Sequence, residues 1–171
     1  PLEEADEKDL LPAYYDSQVA AKETEITGRN VEVKKDKGTK GKAMNVLSPS
    51  QVQLCPAQDE CSFTTLATLD IKTCSPVEKE SFLGSMQDLY MNDQSLFLAY
   101  YHYDAAKWQE QTGIIALDVS EKDLTYRASA VVDGYLLNQF SMDEFRDSFR
   151  LATTNWDQGS SLYVMDRALN V

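Results

Sequence analysis

Three aspartates in equal steps constrain this chain more than any other feature. "SFTTLATLDIK" starts at Ser62, "QTGIIALDVS" at Gln111 and "SSLYVMDRAL" at Ser160; each is a short apolar run closed by an apolar residue and an aspartate. The aspartates are Asp70, Asp118 and Asp166, and both gaps are 48 residues. Self-similarity at a fixed period implies one supersecondary unit used repeatedly, because a lone unit cannot bury its apolar face. A second pair of segments repeats in the same order. "LFLAYYHYD" (96–104) matches "FRLATTNWD" (149–157) in its apolar first half, a shared alanine and an aromatic-Asp close, at an offset of 53. The different offset is assigned to a longer connection from Asp104 to Gly113 than from Asp157 to Gly159, since surface connections absorb insertions.

The pieces between these anchors predict strands. "LTYRASAVV" alternates with period two, placing Leu124, Tyr126, Ala128, Ala130 and Val132 on one face. "DLYMNDQSLFLAYYHY" is two apolar runs around an Asn92-Asp93 reversal, which is a hairpin pattern. Strands are expected at 86–91, 95–103, 113–119 and 123–132, a complete four-stranded meander. Two more fall at 62–69 and 77–83, and three near 138–145, 148–154 and 160–165. A repeat of about 40 to 50 residues with four strands is the pattern of a β-propeller blade. The expected fold class is therefore all-β: a partial propeller of four-stranded antiparallel meanders, with one complete blade (86–132) and two incomplete ones (62–83 and 138–171). Residues 1–61 are expected to form an N-terminal arm and a long loop or hairpin insertion.

One segment offers a competing signal. In "YLLNQFSMDEF", Ser141 and Glu144 have the spacing of a helix capping box. Residues 140–147 nevertheless align with 86–93, which lead into the clear hairpin. The segment is therefore read as the innermost strand of a new blade, turning near Arg146 and Asp147.

Composition narrows the function classes. The 171 residues carry a formal charge of −12, which opposes the counterion-release binding of nucleic acid. A local exception is "GRNVEVKKDKGTKGK", with six basic residues between Arg29 and Lys42, expected to be a solvated loop or a hairpin around residues 38–41, in preference to an anion site. No apolar run approaches a membrane span. Of three cysteines, Cys55 and Cys61 are a candidate local disulfide, leaving Cys74 alone, and with one histidine no zinc set is completed. No metal or other cofactor is expected.

The chain resembles the secreted β-propeller domain proteins of bacteria and archaea, distant relatives of WD40 propellers. The residues that carry the resemblance are "LLPAYYDS" (10–17), "SFTTLATLDI" (62–71), "LYMNDQSLFLAYYHY" (89–103), "LLNQFSMDEF" (136–145), "LATT" (151–154) and "LYVMDRALNV" (162–171). The resemblance implies a propeller, export, and a role that is secreted, extracellular or in the cell envelope. It carries over no catalytic residues.

The individual residues suggest binding more than chemistry. Asp70, Asp118 and Asp166 could be imagined as calcium ligands, but strand-end aspartates ordinarily accept backbone N–H groups of the next turn. His102 is expected to pack or to hydrogen-bond at the surface. Trp156-Asp157 and Tyr103-Asp104 are expected to serve strand-end packing. Tyr100, Tyr101, Tyr103 and Trp108 are a candidate aromatic binding surface for a protein or glycan, although strand alternation is expected to turn half of them against neighbouring blades. No nucleophile elbow, zincin motif or phosphate loop is present. Asp143 and Glu144 point to opposite faces of a strand, so they do not form a catalytic pair.

The leading expectation is an exported, non-catalytic interaction module or scaffold. Its partners would include the remaining blades of the same protein, or another chain, through open strand edges. The reading frame is accordingly expected to continue past Val171. The alternatives are a funnel-sited hydrolase or lyase completed by further blades, and a structural subunit assembling edge to edge.

Overall fold

The computed structural model describes residues 11, 13–16, 42–45, 52–57, 62–73, 75–121 and 123–171. Among them, regular structure consists of antiparallel strands and one 3-10 turn. No helix among them is long and apolar enough to cross a membrane. The chain divides into two compact units, Pro1–Val52 and Gln53–Val171. In the first, β1 (Ala13–Asp16) pairs with β2 (Lys42–Asn45), Ala13 opposite Asn45. The hairpin expected around residues 38–41, and most of the basic segment, lie outside the described residues. Cys61 and Cys74 do as well.

Three further sheets are blades. The first holds β3 (Val52–Leu54), β4 (Phe63–Asp70) and β5 (Ser75–Leu83) in the order β3-β5-β4. The second is a complete meander of β6 (Asp88–Met91), β7 (Ser95–Asp104), β8 (Gln109–Val119) and β9 (Leu124–Asp133), neighbours in chain order. In the third, β12 (Ser148–Asn155) lies between β13 (Gly159–Met165) on one side and β10 (Tyr135–Leu136) plus β11 (Met142–Phe145) on the other. The fold is thus a partial propeller.

The first two blades share backbone devices that the sequence only hinted at. In both, the hairpin that ends the blade carries a β-bulge, between Thr68 and Leu69 in one and Ala116 and Leu117 in the other. In both, the second strand of that hairpin is followed by a glycine with positive φ, Gly84 (145°) and Gly134 (89°). A threonine from the preceding strand holds that glycine's carbonyl, Thr64 Oγ1 at 2.9 Å and Thr112 Oγ1 at 2.7 Å. The glycine's own N–H donates to Ser62 O or Glu110 O, both at 2.7 Å. The bulge positions, the threonines and the acceptors are all 48 residues apart, the period of the aspartates. Each lock satisfies two backbone groups where the chain leaves a blade, groups that would be costly to bury unpaired.

The bulge corrects one sequence expectation. Ala116 pairs with Ala128 but Leu117 with Tyr126, so Arg127 is the extra residue. A bulge reverses facing in the strand beyond it. Leu124 therefore packs in one core, with Leu96, Leu98, Tyr100 and Leu117. Ala128, Ala130 and Val132 pack in the other, with Phe97, Ala99, Phe149 and Leu151. The single face expected for 124–132 does not exist.

The central blade is buried on both sides, which explains its unbroken apolar runs 96–100 and 114–117. Its even-numbered β7 positions face the first blade's side and its odd-numbered ones face the third blade. At the latter interface Phe97 stacks on Phe149, ring centroids 3.9 Å apart and nearly parallel at 9°. Ring pairs of this kind add about 1 kcal/mol beyond the area they bury.

"FSMDEF" is a strand for most of its length. Met142 to Phe145 pair with residues 151 to 148, around the two-residue reversal at Arg146 and Asp147. The polar capping geometry belongs to a different residue, since Asn138 Oδ1 accepts from Phe140 N at 2.9 Å and caps a single 3-10 turn, Gln139–Ser141. The register also differs by one from the sequence alignment. Leu96 pairs with Met91 and Phe149 with Glu144, an offset of 53 for the inner strand instead of 54. The shift is decisive for side-chain facing: Met142 is 3% exposed in the core, while Phe140 lies outside it at 86%.

Candidate binding cleft

The five-residue discrepancy between the repeat offsets builds a cleft. From Leu96↔Leu117 to Asp104↔Gln109, the β7–β8 hairpin has nine paired positions. From the equivalent Phe149↔Met165 to Asn155↔Gly159, the β12–β13 hairpin has seven. Its loop is also one residue shorter, 156–158 against 105–108. Two added rungs and one loop residue account for the whole difference, so the insertion extends both strands as well as the turn. Accordingly β8 begins at Gln109, ahead of the expected Gly113.

The longer hairpin stands beyond its neighbour and contributes Tyr103, Trp108, Gln109 and Glu110 to one wall of a cleft of about 240 Å³. The shorter tip contributes Asn155, Trp156, Asp157 and Gln158. Tyr103 and Glu110 are cross-strand partners, so their side chains share one face. Tyr101 lies on that face too, and its hydroxyl donates to Glu110 Oε1 at 3.4 Å.

The two tryptophans are each 83% exposed, an unusual disposition for so large an apolar side chain. Trp108 also has a left-handed backbone, φ 55°. In the shorter hairpin a left-handed residue also closes the loop, and it is Gly159, φ 79°. Holding a side-chain-bearing residue there costs about 1 to 2 kcal/mol. Asp104 rigidifies the turn: its Oδ1 accepts from Ala106 N (3.0 Å) and Lys107 N (3.2 Å), and its Oδ2 pairs with Lys107 Nζ at 3.2 Å.

The sequence candidates separate accordingly. Tyr103 and Trp108 line the cleft, and Tyr101 is a half-exposed neighbour. Tyr100 leaves the group. It is 1% exposed, its hydroxyl donates to Pro56 O at 2.6 Å, and burial pushes its ionisation well above the ordinary range. Position parity is the reason, since residue 100 faces the other core. Trp156-Asp157 lies in a turn and lines the cleft, so its expected strand-end packing is not observed. His102, opposite Gln111, is half-buried. Cys55 is a buried free thiol whose pKa burial pushes up to about 11; its suggested partner Cys61 lies outside the described residues.

The repeated aspartates behave in two ways. Asp70 accepts from Lys72 N (2.7 Å) and Thr73 N (3.1 Å), and Asp166 from Ala168 N and Asn170 N, both at 2.9 Å. Asp118 instead pairs with Arg127 and Arg167, each at 2.7 Å, while Ser120 closes the following turn. Among the described residues no group of three or more His, Cys, Asp or Glu could hold a metal ion.

These contacts set a pH dependence. The backbone N–H groups of Thr73 and Lys72 hold the Asp70 carboxyl below its ordinary range. Asp104 is lowered by the Lys107 side chain first and then by backbone amides, and Asp166 by Asn170. A depressed folded-state pKa stabilises fully above the unfolded value of about 3.9, and that contribution is lost as pH falls through the lower folded value. The Asp70→Asn/Asp104→Asn/Asp166→Asn variant keeps the acceptor oxygens without the titration. Its Tm should fall less steeply than the wild type's below about pH 4; parallel curves would contradict this assignment.

Locked antiparallel blades, packed face to face and repeated at a constant step, define a blade-repeat protein. The chain belongs to the beta propeller domain family, whose model matches residues 2–171. No curated protein matches it.

Proposed function

We propose that the chain is an exported interaction module, and that the cleft between the two hairpin tips is where it meets a protein partner at the cell surface or outside the cell. The observation that carries this reading is the pair of exposed tryptophans on opposite walls, one of them held in a backbone conformation that favours glycine. Backbone strain of this kind persists where it has a use, and aromatic side chains dominate binding energy at interfaces. Export is supported by the resemblance to secreted propeller proteins, and the charge of −12 favours partners other than nucleic acid.

The test is a binding screen of the purified chain against peptide and glycan arrays, with a Trp108→Ala/Trp156→Ala variant beside it. The wild type should retain a subset of peptides that the variant, still folded by circular dichroism, loses. Identical profiles for the two proteins would end this reading.

A further inference from the structure

We infer that the cleft binds a cationic side chain, an ammonium or guanidinium, presented by a partner polypeptide. This deepens the interaction-module reading and rests on it. Aromatic rings on both walls, Tyr103 and Trp108 against Trp156, provide π faces that attract a cation within about 6 Å of a ring centroid. Each wall also brings one carboxylate, Glu110 and Asp157. Among the described residues no lysine or arginine lines the cleft. Lys107, next to Trp108 in sequence, is held by Asp104 at 3.2 Å. Two like charges flanked by low-dielectric rings focus a negative potential on the space between them. The chain's charge of −12 reinforces it at longer range.

Neutral sugars also stack on exposed tryptophan, and the amides of Gln109, Asn155 and Gln158 could bond hydroxyls. That arrangement gives no use to two carboxylates on facing walls, neither of them paired with a cation among the described residues, whereas a bound cation neutralises both. Glu110 is moreover oriented by the Tyr101 hydroxyl, a weak internal partner at 3.4 Å.

Isothermal titration calorimetry with blocked pentapeptides centred on arginine, lysine or norleucine tests the inference, with a neutral β-glucan hexasaccharide as a fourth probe. The arginine or lysine peptide should bind at least about tenfold more tightly than norleucine. Trp156→Ala, and separately Glu110→Gln/Asp157→Asn, should each weaken the cationic peptide about tenfold. Raising sodium chloride from about 50 to about 300 mM should weaken it several-fold. Trp108→Gly should lower affinity while raising Tm, separating a binding role from a structural one.

Equal affinity for norleucine, or tighter binding of the hexasaccharide, overturns the cationic assignment and leaves the interaction module standing. Saturable binding by none of the four probes overturns the cationic assignment, and identical array profiles would remove the module reading with it.

Discussion

Gly113→Ala is expected to destabilise the chain by about 3 kcal/mol or more, lowering Tm by roughly 10 °C. A Cβ built on Gly113 would stand 2.0 Å from Tyr100 Cζ and 2.5 Å from its hydroxyl oxygen. Gly113 and Tyr100 are direct cross-strand partners, so the ring lies over the bare backbone opposite it. The ring cannot easily retreat, because it is buried among Leu96, Leu98, Ile115 and Leu117 and its hydroxyl is tied to Pro56 O. The cause is occupied space, and the double variant isolates it. Tyr100→Leu alone loses packing and a hydrogen bond, costing about 2 kcal/mol. Combined with Gly113→Ala it should cost far less than the sum, with a coupling above about 1 kcal/mol in urea melts. A Gly113→Ala protein within about 0.5 kcal/mol of wild type would refute the argument.

Arg127→Met should cost about 3 kcal/mol, chiefly by stranding charge between blades. The guanidinium side chain is 9% exposed, bonds Asp118 at 2.7 Å and Ser95 Oγ at 3.0 Å, and lies 5.2 Å from the Phe97 ring centroid. Its other nitrogen stands 3.9 Å from Glu144, itself 7% exposed. Glu144 also accepts from Asn92 Nδ2 at 2.7 Å, which alone does not neutralise a buried carboxylate. Removing the charge on both sides, Arg127→Met/Glu144→Gln, should recover more than half of the loss. Equal stability of the single and double variants would show that the pair is not coupled.

The two predictions concern residues that sequence reading reached unequally. The repeat period was legible because aspartates and strand-ending turns recur at fixed positions whatever the packing. The hairpins at 92–94 and 146–147 followed from the same local chemistry. Alternation alone predicts that half of the aromatic group around Tyr100 packs inward, and which half depends on strand register. The usable signal was Gly113, a glycine in the middle of an apolar strand, which announces a close neighbour. Arg127 was overlooked for a related reason. It falls on a polar position of the alternation in "LTYRASAVV", as a solvated residue would, and the bulge opposite Leu117 is what turns it into the interface between blades.

The helix-like spacing of Ser141 and Glu144 lost to tertiary pairing. Met142 and Phe145 gain partners on β12, and Met142 gains a place in the core. Local capping worth about 1 kcal/mol does not compete with a strand's hydrogen bonds and a buried methionine together. The cleft was half legible. Tyr103, Trp108 and the Trp156-Asp157 dipeptide all stood out, but two hairpin tips separated by about fifty residues are brought together only by the face-to-face stacking of blades.

The unequal hairpins have a consequence for how such a surface diversifies. The lock at Gly134 reaches no further up the hairpin than the backbone carbonyl of Glu110, so the tip beyond that point can lengthen or shorten without disturbing the bonds that join one blade to the next. Relief on that face is therefore written in insertions and deletions: wherever neighbouring tips differ in length a notch opens, and wherever they match it closes. An array of nearly identical blades can thus carry notches of different depth and chemistry around its rim while every buried contact between blades stays the same.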